Sequence, residues 1–281
     1  MALLNDFYLV IGAFIYVAGI IAVSLMLKKK DIISKHAARK IVHLFAGFAC
    51  FIVPFLTYPH LALIVSLTFL LLIRISNPKT PLFQMMGEKG EEVEKGYLSG
   101  PFSYALAINI LVIIFGFMPQ YFFFPASSIM VMMISDTAAS FVGRRWGKHK
   151  INNFLGINLA YTKTTRSLEG SLALFLSAFG LSLLAFSFFG SWFPKNENTM
   201  GFFWIIILSL LLAFNSALIE LVSPSNLDDF IMPITSCFLT FLMTVFLFPG
   251  AIGATQFVFL QTAILVPIGL GATIILCWIY K

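Results

Sequence analysis

Nine long apolar runs, parted by short polar stretches, dominate the chain: 7–27, 41–57, 60–75, 99–118, 122–142, 167–190, 202–222, 230–248 and 254–280. A helix that crosses the hydrocarbon layer needs roughly 20 apolar residues, and nine of them consume most of the 281 residues. The longest polar stretches, 76–98 and 143–166, are too short to fold alone. The pattern therefore predicts an all-α polytopic integral membrane protein, with 1–281 forming one transmembrane helical domain. Its chemistry must be built from the helices and from loops near 28–40, 76–98, 143–166 and 223–229.

Charge adds an orientation. When the loops are numbered alternately, 17 of the 18 Lys and Arg residues fall on one side, and Lys195 alone falls on the other. Basic loops face the cytosol, so this separation predicts an outer N-terminus and supports the count of spans. The first run has no basic residue before it and three lysines after it, the reverse of a cleavable signal peptide, so it reads as a retained anchor.

Composition agrees: 59% of residues are hydrophobic and 11% charged, with a mean hydropathy of +0.95. The net charge of +6 follows membrane topology and suits anionic headgroups or a phosphate-bearing substrate, with no nucleic acid implied. Cys50, Cys237 and Cys277 each stand alone in a run and read as packing residues.

With so few acids, each one in or beside a span can be weighed individually. Asp136 lies seven residues inside Gly143, about 10 Å along a helix. An intramembrane carboxylate is costly and usually marks a site; a structural hydrogen bond to a neighbouring helix is the plainer alternative. Ser140 and Gly143 share its face. The segment Gly143-Arg-Arg-Trp-Gly-Lys-His-Lys150 follows, in which glycines amid cations let backbone amides and side chains converge on phosphates. It is not a Walker A loop, and a topological anchor would account for Arg144 and Arg145 by themselves. Farther on, Ser167 is placed to cap a helix, with Lys163 and Arg166 before it and Glu169 in the first turn. With Asp136, this assembly has the makings of a metal–phosphate site, carboxylates holding Mg²⁺ and cations holding phosphoryl oxygens. Arg39 and His43 share one helical face at the same side, and Glu220, still within the seventh run, gathers with Asp228 and Asp229 at its end.

Asp136-Thr-Ala-Ala-Ser-Phe-Val-Gly-Arg-Arg-Trp-Gly-Lys148 and Lys163…Ser167-Leu-Glu-Gly-Ser171 resemble the polyprenol kinase family, which includes dolichol kinase, phytol kinase and CTP-dependent diacylglycerol kinase. That family's pattern runs D-x-x-A-S-x-x-G-[RK]-x-[FWY]-G-K and then K-[ST]-x-[EA]-G-[ST]. Arg39-Lys40…His43, Lys95-Gly96…Gly100-Pro101 and Glu220…Ser223-Pro224…Asp228…Pro233 match further elements, so the resemblance covers about residues 39–233. Asp229 departs from the usual Asn, and Thr165-Arg166 lengthen the usual spacing.

The resemblance implies transfer of the γ-phosphoryl of CTP, or another nucleoside triphosphate, to a membrane isoprenoid alcohol or diacylglycerol. The site would face the cytosol, and a prokaryotic plasma membrane suits so compact a chain. Under this reading Asp136, with Asp228 or Glu220, holds Mg²⁺. Arg144, Arg145, Lys148, Lys163 and Thr164 contact the nucleotide phosphates together with Gly143, Gly147, Ser167, Gly170 and Ser171. Glu169 takes the hydroxyl proton, and Arg39, His43, Ser140 and Asp229 complete the surroundings. Two rivals remain. A lipid-phosphate cytidylyltransferase would use the same nucleotide and metal but attack the α-phosphorus; the C-terminal signature typical of such enzymes is not found. A transporter would need polar residues through to the far side, where the sequence has mainly Asn109 and Asn215.

Overall fold

The computed structural model describes residues 2–87, 96–154, 157–162, 165–192, 200–224 and 227–253, with 264, 267 and 271. The protein is an all-α polytopic membrane protein: seven of the described helices are long and apolar enough to cross a bilayer. The third run forms a shorter helix, Pro59–Ile75. Pro59 opens it, where a missing N–H costs nothing, and Ser76 ends it in an extended conformation two residues before Pro78. Apart from three isolated positions, the ninth run, 254–280, lies outside the described residues. Helix ends shift by a few residues from the apolar runs, but Phe202–Val222 keeps the bounds that hydropathy assigns it.

The chain divides into two compact units, Met1–Phe117 and Met118–Lys281. In the first, α1 (Ala2–Lys29) packs on α2 (Lys35–Ala46), and α3 (Ala62–Ile75) packs on α5 (Ser99–Gly116). Ser34 caps α2 through its hydroxyl, which accepts from Ala37 N at 3.1 Å. Beyond α2 the chain tightens into a 3₁₀ segment, Gly47–Phe55, with Pro54 inside it. The short α4 (Pro81–Met86) contributes Phe83, Met85 and Met86 to a small core with Ala38, Val42 and Leu98. Asp6 is fully buried near the start of α1, and it accepts from the backbone amides of Thr57 and Tyr58 at 2.9 Å each. Those bonds account for an acid in an otherwise apolar helix.

The second unit contains α6 (Phe123–Met130), a π-helical turn (Val131–Ser135), α7 (Asp136–Trp146), α8 (Leu168–Ser187), α9 (Phe202–Val222) and α10 (Asp228–Leu247). Helix α8 packs against α6, α7 and α9, while α10 packs against α9 and α6. The core is aromatic: Phe124 meets Phe186 and Phe241 edge-on at 5.6 and 5.1 Å between ring centroids. Leu168, Leu172, Leu176 and Leu184 form an exposed stripe along α8, whereas Leu174, Ala178 and Ala185 point inward. An apolar face turned outward is what contact with lipid chains requires.

Both asparagines that a polar path would use are hydrogen-bonded inside their own unit. Ser66 Oγ donates to Asn109 Oδ1 at 2.9 Å, and Asn215 Nδ2 donates to Thr240 Oγ1 at 3.0 Å.

Candidate active site

The site of the second unit forms where α7, α8, α9 and α10 meet the loop between α7 and α8. Asp136 is half-buried and is the first α-helical residue after the π turn. Such turns add a residue to the helix, re-aim the side chains that follow, and recur at functional positions. A carboxylate oxygen of Asp136 and one of Asp229, at the start of α10, lie within 4.8 Å of each other. Hard oxygen donors of this kind suit a divalent cation such as Mg²⁺.

The other acids near this point have different partners. Glu220 pairs with Arg166 at 3.1 Å, with the two side chains 14% and 7% exposed. The Asp228 carboxylate accepts from the backbone amide of Asp229 at 3.0 Å. Asp136 remains within electrostatic range of both Glu220 and Asp228. The sequence assigns the cation to Asp136 with Glu220 or Asp228, whereas the structure puts the Asp229 carboxylate beside Asp136. The order of residues in a first turn leaves this choice open, because adjacent positions point 100° apart.

In the loop from Gly147 to Ser167, one strand pairing joins the two ends and a second is local. Strand β1 (Lys150–Ile151) pairs antiparallel with β4 (Arg166–Ser167), and β2 (Asn153–Phe154) pairs with β3 (Ile157–Asn158). Ser167 caps α8, its hydroxyl accepting from Gly170 N at 3.2 Å. Glu169, two residues after Ser167, accepts from the His149 backbone amide at 3.2 Å, and its carboxylate lies 2.7 Å from the His149 ring Nδ1. The carboxylate expected to receive a proton is therefore already engaged in holding the loop to α8.

The glycines have a packing role. A Cβ on Gly170 would sit 3.2 Å from the Ala139 carbonyl and 3.3 Å from Gly143 Cα. On Gly147 it would run into the Gly143 carbonyl and come within 2.5 Å of Ser167 Oγ. Close approach of α7 and α8 thus needs small residues at all three positions. Charged side chains lie around this crossing: Arg144, Arg145 and Lys148 are exposed, and the Arg145 guanidinium lies 5.3 Å from the Trp146 ring centre. Ser140 is half-buried one turn beyond Asp136, and Ser171 Oγ is buried with no partner among the described residues. Lys163 and Thr164 lie outside the described residues.

Arg39 and His43 belong to the first unit, where both are half-buried on α2. Arg39 donates to the Met86 carbonyl at 3.4 Å. His43 faces the Tyr104 ring at 4.5 Å, and the Tyr104 hydroxyl donates to the His43 carbonyl at 2.9 Å.

Arg166 has a partner that sequence reasoning misses. Read along the chain it is one of the cations grouped with Lys163 before the Ser167 cap. The signal lay in its lengthened motif spacing, which puts an arginine directly before the helix cap.

No family model matches the chain, and no solved structure matches it. Among characterised proteins, the phytol kinase of Synechocystis sp. is 27% identical over 222 residues, which cover 79% of this chain and 85% of that protein. The chain is thus similar to that phytol kinase over most of its length, and it carries the motifs centred on Asp136 and Gly170.

Proposed function

We propose that this protein is a lipid-alcohol kinase that moves the γ-phosphoryl group of a nucleotide, CTP foremost, onto the hydroxyl of an isoprenoid alcohol or diacylglycerol. The carrying observation is the Asp136–Asp229 pair, within 4.8 Å at the helix ends beside a loop rich in glycine and cations. Similarity to a phytol kinase supports the same reading. The basic loops at this end of the bundle support a cytosolic site, where a soluble nucleotide and a membrane alcohol can meet.

Phosphoryl transfer depends mainly on positioning and on charge neutralisation. Asp136 and Asp229 would hold Mg²⁺, which neutralises charge on the nucleotide phosphates when bound. Lys148, Arg144 and Arg145, with Lys163, bind phosphoryl oxygens. The first turn of α8, capped by Ser167, adds the positive end of its helix dipole to the same surroundings. The alcohol oxygen forms a bond to the γ-phosphorus, the bond to the bridging oxygen breaks, and CDP leaves. The alcohol's proton passes to a carboxylate of the site; Glu169, the sequence's candidate, also binds His149.

The test uses purified protein in lipid micelles with Mg²⁺, a pool of isoprenoid alcohols and diacylglycerol, and CTP labelled separately at the α and γ phosphates. Label entering lipid from the γ position alone is the expected result, and the labelled species names the acceptor. Entry from the α position, with a lipid phosphate supplied, would make the protein a cytidylyltransferase. No transfer from CTP, ATP or GTP would overturn the kinase.

A further inference from the structure

Arg166 is tied into the second unit twice. Its backbone pairs with Ile151 across the β1–β4 strands, immediately before the Ser167 cap of α8. Its side chain reaches the far end of α9. There Nη1 bonds the Glu220 carbonyl and lies 3.1 Å from the Glu220 carboxylate, while Nη2 donates to the Ser223 carbonyl at 2.9 Å. From the same loop, the Tyr161 hydroxyl donates to the Val222 carbonyl at 2.7 Å. Two side chains of the α7–α8 loop thus reach the carbonyls of Glu220, Val222 and Ser223 at the C-terminus of α9, where a helix leaves carbonyls short of intrahelical partners. The cation also complements the negative end of the α9 dipole. Helix α10, which carries Asp229, starts a few residues beyond Ser223.

We propose that Arg166 and Glu220 are a positioning pair: Glu220 serves as the counter-ion of Arg166 and is not a ligand of the catalytic cation. The pair fastens the phosphate-binding loop to the α9–α10 junction that presents Asp229 to Asp136. This inference deepens the kinase reading and rests on it for the identity of the cation and the loop. A guanidinium fork suits the task, since it engages a carboxylate and two carbonyls at once from one rigid plane. A lysine ammonium is a compact charge that cannot span them. Both side chains are nearly buried, so either one left alone would be an uncompensated charge.

The experiment follows amide exchange by mass spectrometry in the full chain, reconstituted in lipid nanodiscs, for wild type, Arg166→Lys, Arg166→Ala and Glu220→Gln. Amides of 148–162 should exchange about ten-fold faster in the Arg166 variants, while α6 and the interior of α8 stay protected as a control for folding. Unchanged exchange across that loop in Arg166→Ala would overturn the pairing. Mn²⁺ binding, read by electron paramagnetic resonance in the presence of CTP, provides the second readout. Glu220→Gln keeps an amide oxygen and both backbone carbonyls for Arg166, so it should bind Mn²⁺ within about two-fold of wild type, whereas Asp229→Asn should bind it roughly ten-fold more weakly. Weakening in Glu220→Gln equal to that in Asp229→Asn would make Glu220 a ligand and end the proposal. If the wild-type protein transfers no phosphoryl group, the kinase reading fails, while the exchange data still decide whether Arg166 fastens the loop.

Discussion

Gly170 crosses Gly143 with so little clearance that a Cβ on Gly170 would lie 3.3 Å from Gly143 Cα and 3.2 Å from the Ala139 carbonyl. Backbone sits on both sides of this contact, so a methyl group cannot be absorbed by a side chain turning away. Gly170→Ala should destabilise the protein by about 1–3 kcal/mol. Gly143→Ala, whose nearest neighbour is the Ser167 hydroxyl at 3.3 Å, should cost less. Thermal unfolding of both variants in detergent checks the order.

The Asp136–Asp229 pair separates two kinds of loss. Asp136→Asn should lower phosphoryl transfer by roughly 10²–10³-fold while the protein stays folded, since a neutral amide replaces a charged ligand. Asp229→Asn should shift the Mg²⁺ requirement upward by roughly an order of magnitude. Chelation should stop transfer and added Mg²⁺ should restore it. Transfer assays across a Mg²⁺ series, with circular dichroism as the folding control, distinguish these outcomes; near-normal activity in Asp136→Asn would remove it from the site.

Glu169 offers a sharper choice. If its carboxylate holds the loop through His149, Glu169→Gln should raise KM for the nucleotide and leave kcat within about ten-fold, because the amide oxygen still accepts from the His149 backbone amide. If Glu169 receives the substrate proton, kcat should collapse with KM little changed. Steady-state kinetics on this variant decides between orientation and proton transfer.

Asn215 and Thr240 should matter for stability alone. Their buried 3.0 Å hydrogen bond links α9 to α10 inside the bundle, and such bonds in membranes contribute about 1 kcal/mol. Asn215→Ala should lower the unfolding temperature by a few degrees and leave kcat/KM unchanged. A large loss of activity at unaltered stability would show that Asn215 touches substrate.

Much of this architecture was legible along the chain. The bilayer sets the length of an apolar run, so Phe202–Val222 could be bounded from hydropathy alone. Ser167 could be read as a cap because a short hydroxyl side chain before an apolar helix satisfies an otherwise unpaired amide, and it accepts from Gly170 N as expected. Arg39 and His43 fall on one helix because helical periodicity is local. Asp136 stood out because a carboxylate in an apolar run is expensive without a reason.

The tertiary structure alone decided which groups meet. Asp136 faces Asp229, Arg166 reaches Glu220, and Glu169 binds His149, yet each partner lies between 20 and 93 residues away along the chain. The glycines changed meaning for the same reason. Seen in a row of cations, Gly143 and Gly147 suggest a phosphate cradle; the fold adds a packing demand, with Gly143 facing Gly170 and both glycines lying against the Ser167 side chain. Local sequence sets periodicity, caps and span length through forces acting within a few residues; the meeting of distant side chains depends on how whole helices pack, and only the folded bundle specifies that.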